Sequence, residues 1–453
     1  MSLPASSPPL SRHSANASAG GSDSSKRSES GSPGQVDARL KSESSAEMEA
    51  AAREKLADAS PWLPLRVPIF RAFWIASIVS NIGTWVHDVG AGWLMTGLDG
   101  SPAMVAAVRV AITLPTILLA IPAGVLADRV DRRLLLIATQ LMLFMTTATL
   151  ASLTWAGWIT AWTLLGLTLV VGLGKVLHAL SWQATVPVLV PQPQLSRAVA
   201  LNSLSFNLAR SLGPALGGLL IAAAGVWITF AVNACSFAGV LIVLVTWRRE
   251  RVEHSGGETF RSSLTSGIRF VWEERRMRNV LFSVVLFMLP ATSLWALMPL
   301  VAKEHLQWDA IGFGTLVTTI GIGAVLAARF LHHIHQAWTA DRTVSIAMLL
   351  YAASLTFLAA TDITAVALLA TLVLGMAWMM TLTTLNTIAQ LTLPDAMRAR
   401  GMGCYMTTIA ASMSAGSLLW GQVATVIGVA NALLVAAAVL LSTAWVRTRL
   451  KAV

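Results

Sequence analysis

Twelve stretches of roughly twenty apolar residues, parted by short polar turns, constrain this chain more than any other feature. A helix needs about 20 such residues to cross the hydrocarbon core of a bilayer. Within that core the backbone satisfies its own hydrogen bonds only as a helix or a closed barrel, and runs of this length are helical. The first six runs lie near 70–95, 102–126, 134–156, 159–186, 198–223 and 227–247. The last six lie near 279–302, 311–333, 343–360, 363–390, 401–424 and 428–446. The fold class is all-α and integral to the membrane, with twelve transmembrane helices.

Charge supports that count. The chain carries a net +10, which in a soluble protein would suggest a nucleic-acid partner, but 55% of its 453 residues are hydrophobic and 12% charged. Lys175 and Arg210 inside the runs apart, the basic residues from Arg129 onward fall in the connections on one side and at the C-terminus, and the proposed outer loops hold only Lys303. Basic residues near helix ends are retained in the cytoplasm, so the asymmetry sets topology and no nucleic-acid partner is needed. An even number of crossings then leaves both termini cytoplasmic. Residues 1–65 are rich in Ser, Gly, Pro and charge and read as a disordered cytoplasmic tail. They lack the apolar core of a secretory signal. Residues 66–247 and 279–453 form two six-helix bundles, and 248–278 is the long cytoplasmic loop between them. In that loop Phe260, Leu264, Ile268 and Val271 recur at helical spacing among arginines, the pattern of an amphipathic helix lying on the inner face. Cys235 and Cys404 both fall inside apolar runs and indicate neither a disulfide framework nor a metal site.

The turn between the second and third runs reads Gly124-Val-Leu-Ala-Asp128-Arg129-Val-Asp131-Arg132-Arg133. It resembles the signature of the major facilitator superfamily, G-x-x-x-D-R-x-G-R-R, with Asp131 standing where the family has glycine. A carboxylate at the end of a membrane helix is costly unless it pairs or caps. Asp128 with Arg129, Arg132 and Arg133 is therefore a candidate gate, against the plainer reading of a basic inner loop. The two halves also resemble each other, as in transporters built from repeats. An offset of 203 carries Gly172 onto Gly375, Pro191 onto Pro394, Arg197 onto Arg400, Gly213 onto Gly416 and Gly218 onto Gly421. An offset of 200 carries Val125, Leu126, Ala127 and Arg129 onto Val325, Leu326, Ala327 and Arg329, while Asp128 becomes Ala328.

The fifth run contains Asn202-Ser-Leu-Ser-Phe-Asn-Leu-Ala-Arg210-Ser-Leu-Gly213-Pro214-Ala-Leu-Gly217-Gly218. Gly-Pro-x-x-Gly-Gly resembles the antiporter motif of drug/proton exchangers in the superfamily, with Ala209 in place of an earlier glycine. The whole run is similar to the branch holding bacterial enterobactin and macrolide exporters. Physically, Gly213, Gly217 and Gly218 permit close approach of a neighbouring helix, and Pro214 removes a backbone donor. Ordinary small-residue packing accounts for the glycines equally well.

Ionisable residues at depth carry the rest. Asp88 in the first helix and Arg109 in the second stand equally far from the turn near Asp99, so a hairpin brings them to one level, where a mutual salt bridge would retain both charges. That pair is either purely structural or a coupling site, in which Asp88 with His87 beside it takes up a proton and releases Arg109. Lys175 and His178 are three residues apart on the fourth helix, and Arg210 sits mid-helix in the fifth. The resemblance places helices one, four, seven and ten around a central cavity. Met288, Trp295, Met298, Trp378, Met379, Met380, Thr383 and Asn386 on the last two suit either a bulky apolar ligand or plain packing.

There is no G-x-x-x-x-G-K-[ST] loop to hold nucleotide; Gly172-Leu-Gly174-Lys175 is a fragment of one inside a helix. Neither a Cys/His metal spacing nor a nucleophile elbow is present, and no enzyme activity, cofactor or metal is assigned. The expected function is secondary active transport by a monomer: proton-coupled efflux of an amphipathic small molecule such as a drug, siderophore or metabolite. An importer or facilitator on the same fold, and a transport-inactive sensor or scaffold, are the alternatives.

Overall fold

The computed structural model describes residues 60–119, 132–246, 269, 272–394 and 397–450. Among them are twelve long helices. The first six are α1 (Pro68–Leu98), α2 (Pro102–Leu119), α3 (Arg132–Trp155), α4 (Ala161–Leu189), α5 (Leu195–Ala224) and α6 (Trp227–Thr246). The last six are α7 (Arg275–Leu300), α8 (Ala310–Ala337), α9 (Ala340–Ala360), α10 (Thr364–Thr392), α11 (Arg398–Ile427) and α12 (Val429–Leu450). Eleven spans meet the length and hydropathy of a membrane crossing. The twelfth helix, α11, is 30 residues long but diluted by Gly, Ser and Thr.

Several helices outrun the apolar stretches that announce them, mostly at the end opposite the α1–α2 turn. Arg197, Arg329, Arg342 and Arg400, expected in connections, and Arg447 and Arg449, expected in the C-terminal tail, lie inside helical ends. A long aliphatic stem continues the apolar surface of a helix while its charged head reaches water or, for Arg447, a partner on α9, so hydropathy falls before the helix does. Arg275, Arg276 and Arg278, expected on the amphipathic loop helix, form the first turn of α7 instead. Glu274 caps that turn by accepting the Arg276 backbone N–H. Phe260, Leu264, Ile268 and Val271 lie outside the described residues, as do residues 1–59 of the expected tail. Leu63–Arg66 forms a single 3-10 turn with Leu63 and Pro64 buried.

Packing follows a pseudo-two-fold pattern. The pairs α1–α5, α1–α6, α2–α4, α3–α4 and α3–α6 have their counterparts in α7–α11, α7–α12, α8–α10, α9–α10 and α9–α12. Across the two sets α2 packs on α11 and, correspondingly, α8 on α5. The repeated residues explain why. A Cβ on Gly213 would collide with Trp85 of α1, and one on Gly416 would lie 2.7 Å from Leu289 O of α7. A Cβ on Gly218 would lie 2.5 Å from Ala310 O of α8, and one on Gly421 would lie 2.6 Å from Ala106 Cβ of α2. In each repeat the first glycine admits the leading helix of its own set and the second admits a helix of the other. The same offset carries Gly225 onto Gly428, which end α5 and α11 at φ of +87° and +82°, where a side chain would be strained.

The ends opposite the α1–α2 turn are stapled within each set. Arg133 at the start of α3 donates to the last carbonyls of α6, from Nε to Leu244 O at 3.2 Å and from Nη2 to Val245 O at 2.8 Å. In the second set the cation sits on the other helix. Arg447 of α12, almost fully buried, reaches Asp341 Oδ1 at 2.6 Å, Asp341 O at 3.0 Å and Ser345 Oγ at 3.1 Å on α9.

Candidate functional site

Trp85, Asp88 and Gly92 follow one another at helical spacing on a single face of α1, with Val89 beside them, and look across a small cavity. Val105, Val108, Arg109 and Ile112 of α2 form a second wall. Trp295, Ala296, Met298 and Pro299 of α7, with Phe313 and Val317 of α8, complete the lining. The surface is apolar apart from two charges.

Both charges are held by neighbours. Lys175 of α4 places Nζ 2.8 Å from Asp88 Oδ1, with side chains 22% and 17% exposed. The pairing keeps either charge from standing alone at membrane depth, where a lone ion is costly. Arg109 lies over Trp295, Cζ 5.2 Å from the ring centroid, and acts on Asp88 through space. Trp295 is fixed from behind by Trp378, centroids 5.6 Å apart at 64°, and Trp378 packs in turn on Phe287 and Tyr351. The guanidinium therefore rests on a rigid aromatic platform.

Towards the α1–α2 turn the cavity is shut. Trp93 stacks on Phe313 with centroids 5.9 Å apart at 18°, and Gly92 faces Pro299. Beyond α7 a five-residue π turn, Val301–His305, carries Lys303 across to α1. There its Nζ donates to Thr96 O at 2.7 Å and to Thr96 Oγ1 at 3.3 Å. At mid-depth Thr113 of α2 and Ser414 of α11 share a 2.7 Å hydrogen bond.

The residues singled out by sequence separate. Asp88 takes Lys175 as its ion-pair partner, where Arg109 was expected. Equal depth on a hairpin fixes height but not azimuth, and the α2 face bearing Arg109 turns to α7. His87 is wholly buried, edge-on to Phe230 of α6 at 5.0 Å, with no hydrogen bond on either ring nitrogen. One residue of helical rotation takes it off the cavity wall that Asp88 lines. Lys175 and His178 also part company: His178 Nδ1 is 2.9 Å from Gln140 Nε2 of α3, and its ring stacks on Trp182. Arg210 sits at the α5–α8 crossing, its carbonyl against Gly321, with Nε and Nη2 buried and without hydrogen bonds. It is not among the cavity's lining residues. Gly213 and Gly217 face α1, while Pro214 and Gly218 face α8. Of the signature turn, Gly124, Asp128 and Arg129 lie outside the described residues, Arg132 opens α3, and Arg133 makes the staple given above. Of the expected Met and aromatic surface only Trp295 and Met298 line the cavity; Met288 is wholly buried in packing and Trp378 backs Trp295. Sequence reasoning misses Trp85 and Phe313, although the Trp85, Asp88, Gly92 spacing marks one helix face.

Twelve helices in two repeats, closing on a central cavity that carries an ion pair at mid-depth, define a secondary transporter of the major facilitator superfamily. Solved structures agree on the fold. The nucleoside transporter NupG superposes with a TM-score of 0.67 at 14% identity, covering 84% of this chain and 98% of that one. The human organic anion transporter MFSD10 superposes at 0.59 with 17% identity, covering 83% and 99%. Residues 59–452 match the family described as "Transmembrane secretion effector", and the chain belongs to it. Among its relatives the staphyloferrin A transporter of Staphylococcus aureus is 25% identical over 264 residues, 57% of this chain and 66% of that protein. The multidrug efflux pump Tap of Mycolicibacterium fortuitum is 23% identical over 380 residues, 78% and 88% of the two chains. Macrolide efflux protein A of Streptococcus pyogenes is 20% identical over 268 residues, 58% and 65%.

Proposed function

We propose that this protein is an exporter of the bacterial inner membrane, driving an amphipathic small molecule outward against proton entry. Both termini lie in the cytoplasm, and the first and last six helices are the two bodies that rock about the cavity. The ion pair of Asp88 and Lys175 at the cavity wall carries the reading. Protonation of Asp88 removes the charge that holds Lys175 and attracts Arg109, so the bond between α1 and α4 is broken and the cavity changes its charge in one step. The carboxylate lines the cavity, where a change of its charge acts directly on what the cavity holds.

The closed end, with Lys303, Trp93 and Phe313, is the outer gate. At the other end Arg133, with Asp128 and Arg129 before it, belongs to the gate that forms when the inner ends converge. Efflux pumps among the relatives favour the outward direction. The test is accumulation of a fluorescent-drug panel in an efflux-deficient bacterium, with and without a protonophore, beside Asp88→Asn. Reduced accumulation that the protonophore and Asp88→Asn both abolish supports coupled export. Increased accumulation on expression replaces it with import.

A further inference from the structure

We infer that the cavity selects an organic anion, binding its carboxylate or equivalent group through Arg109 and its flat apolar part against Trp85. The inference rests on the transport reading and adds the substrate's charge.

Charge bookkeeping at the wall leads there. One carboxylate, Asp88, serves two cations, Lys175 and Arg109. Lys175 takes the close contact at 2.8 Å. Arg109 is a lining residue whose contacts are the face of Trp295 and the through-space attraction of Asp88. A guanidinium on an aromatic face keeps its in-plane N–H groups free to donate, and its fork matches a carboxylate in two parallel hydrogen bonds. Of the lining residues only Asp88 and Arg109 are charged, and Lys175, outside the lining, holds Asp88, so the three together carry one positive charge in excess. In apolar surroundings that excess draws an anion and repels a cation of the same shape. Trp85, Trp295, Met298 and Phe313 around it provide contact for a ring system rather than for a small inorganic ion.

The experiment uses the full chain in lipid nanodiscs and two xanthene dyes of similar skeleton and opposite charge, fluorescein and rhodamine 6G, followed by fluorescence anisotropy. Fluorescein is expected to bind more tightly than rhodamine 6G. Arg109→Gln should weaken fluorescein about tenfold, the loss of one charge-assisted hydrogen-bonded contact, and leave rhodamine 6G unchanged or tighter. Should that variant fail to fold, the wild-type protein decides alone: 2-naphthoate should displace bound fluorescein and 2-naphthylmethylamine should not. Preference for rhodamine 6G, binding of neither dye, equal weakening of both dyes in Arg109→Gln, or equal displacement by the two naphthyl compounds overturns the inference. The binding needs no gradient. If it fails while drug-panel export persists in cells, only the anion selectivity falls; if accumulation fails while anion binding holds, the export reading falls instead.

Discussion

Lys175 Nζ lies 2.8 Å from Asp88 Oδ1 with Arg109 acting on the same carboxylate, so one acid on α1 balances two bases on α4 and α2. The arrangement is unequal. Removing the acid leaves two cations facing each other, whereas removing Lys175 leaves Asp88 with Arg109.

The two single variants should differ accordingly. Asp88→Asn is expected to lower stability by about 2 kcal/mol, less than for a fully buried pair because both side chains are partly exposed. Lys175→Met should cost less, and the double variant should recover most of the loss. Melting temperatures of the detergent-purified proteins check this, and an additive loss in the double variant would count against the pairing.

At the shut end, Lys303 gives two hydrogen bonds to Thr96 across the two repeats. Charge-assisted bonds of this kind are worth about 1.5–3 kcal/mol. Lys303→Met should therefore shift the two-state balance by roughly tenfold or more toward opening at that end. Spin labels on Ala156 and Asp362, exposed at that end on opposite repeats, should show a longer distance population in the variant. An unchanged distribution would mean that Lys303 is not a latch.

The paired glycines make a packing prediction with an internal control. Gly218→Ala meets Ala310 O at 2.5 Å and Gly314 Cα at 3.2 Å, and Gly421→Ala meets Ala106 Cβ at 2.6 Å. Both clashes involve backbone or a residue with no freedom to move, so each should cost about 1–3 kcal/mol and lower transport. Gly403→Ala meets nothing within 4 Å and should leave stability and transport unchanged. Equal behaviour of all three would remove the close-approach account.

The helix count, the repeat and the glycine run were legible because each is written locally: apolar length, a fixed offset and the absence of Cβ. Azimuth is not written locally. The depth of Asp88 and Arg109 follows from counting along a hairpin, but which cation meets the acid depends on how α4 and α7 dock. His87 shows the same limit, since one residue of rotation separates a cavity carboxylate from an imidazole buried against Phe230. Hydropathy cuts helix ends short where Arg197 or Arg447 carries a helix beyond its apolar run. Lys303 stands out in the sequence as the lone base on its side, but its contact with Thr96 needs the π turn after α7.

Proton movement through Asp88 is the central claim, and inverted membrane vesicles measure it most directly. Vesicles energised with lactate hold a proton gradient visible as quenching of an acridine dye. Adding a compound that the cells extrude should partly restore the fluorescence with the wild-type protein and not with Asp88→Asn at equal expression. Full restoration by Asp88→Asn, or uptake of the compound that persists after the gradient is collapsed, would contradict coupling through this carboxylate.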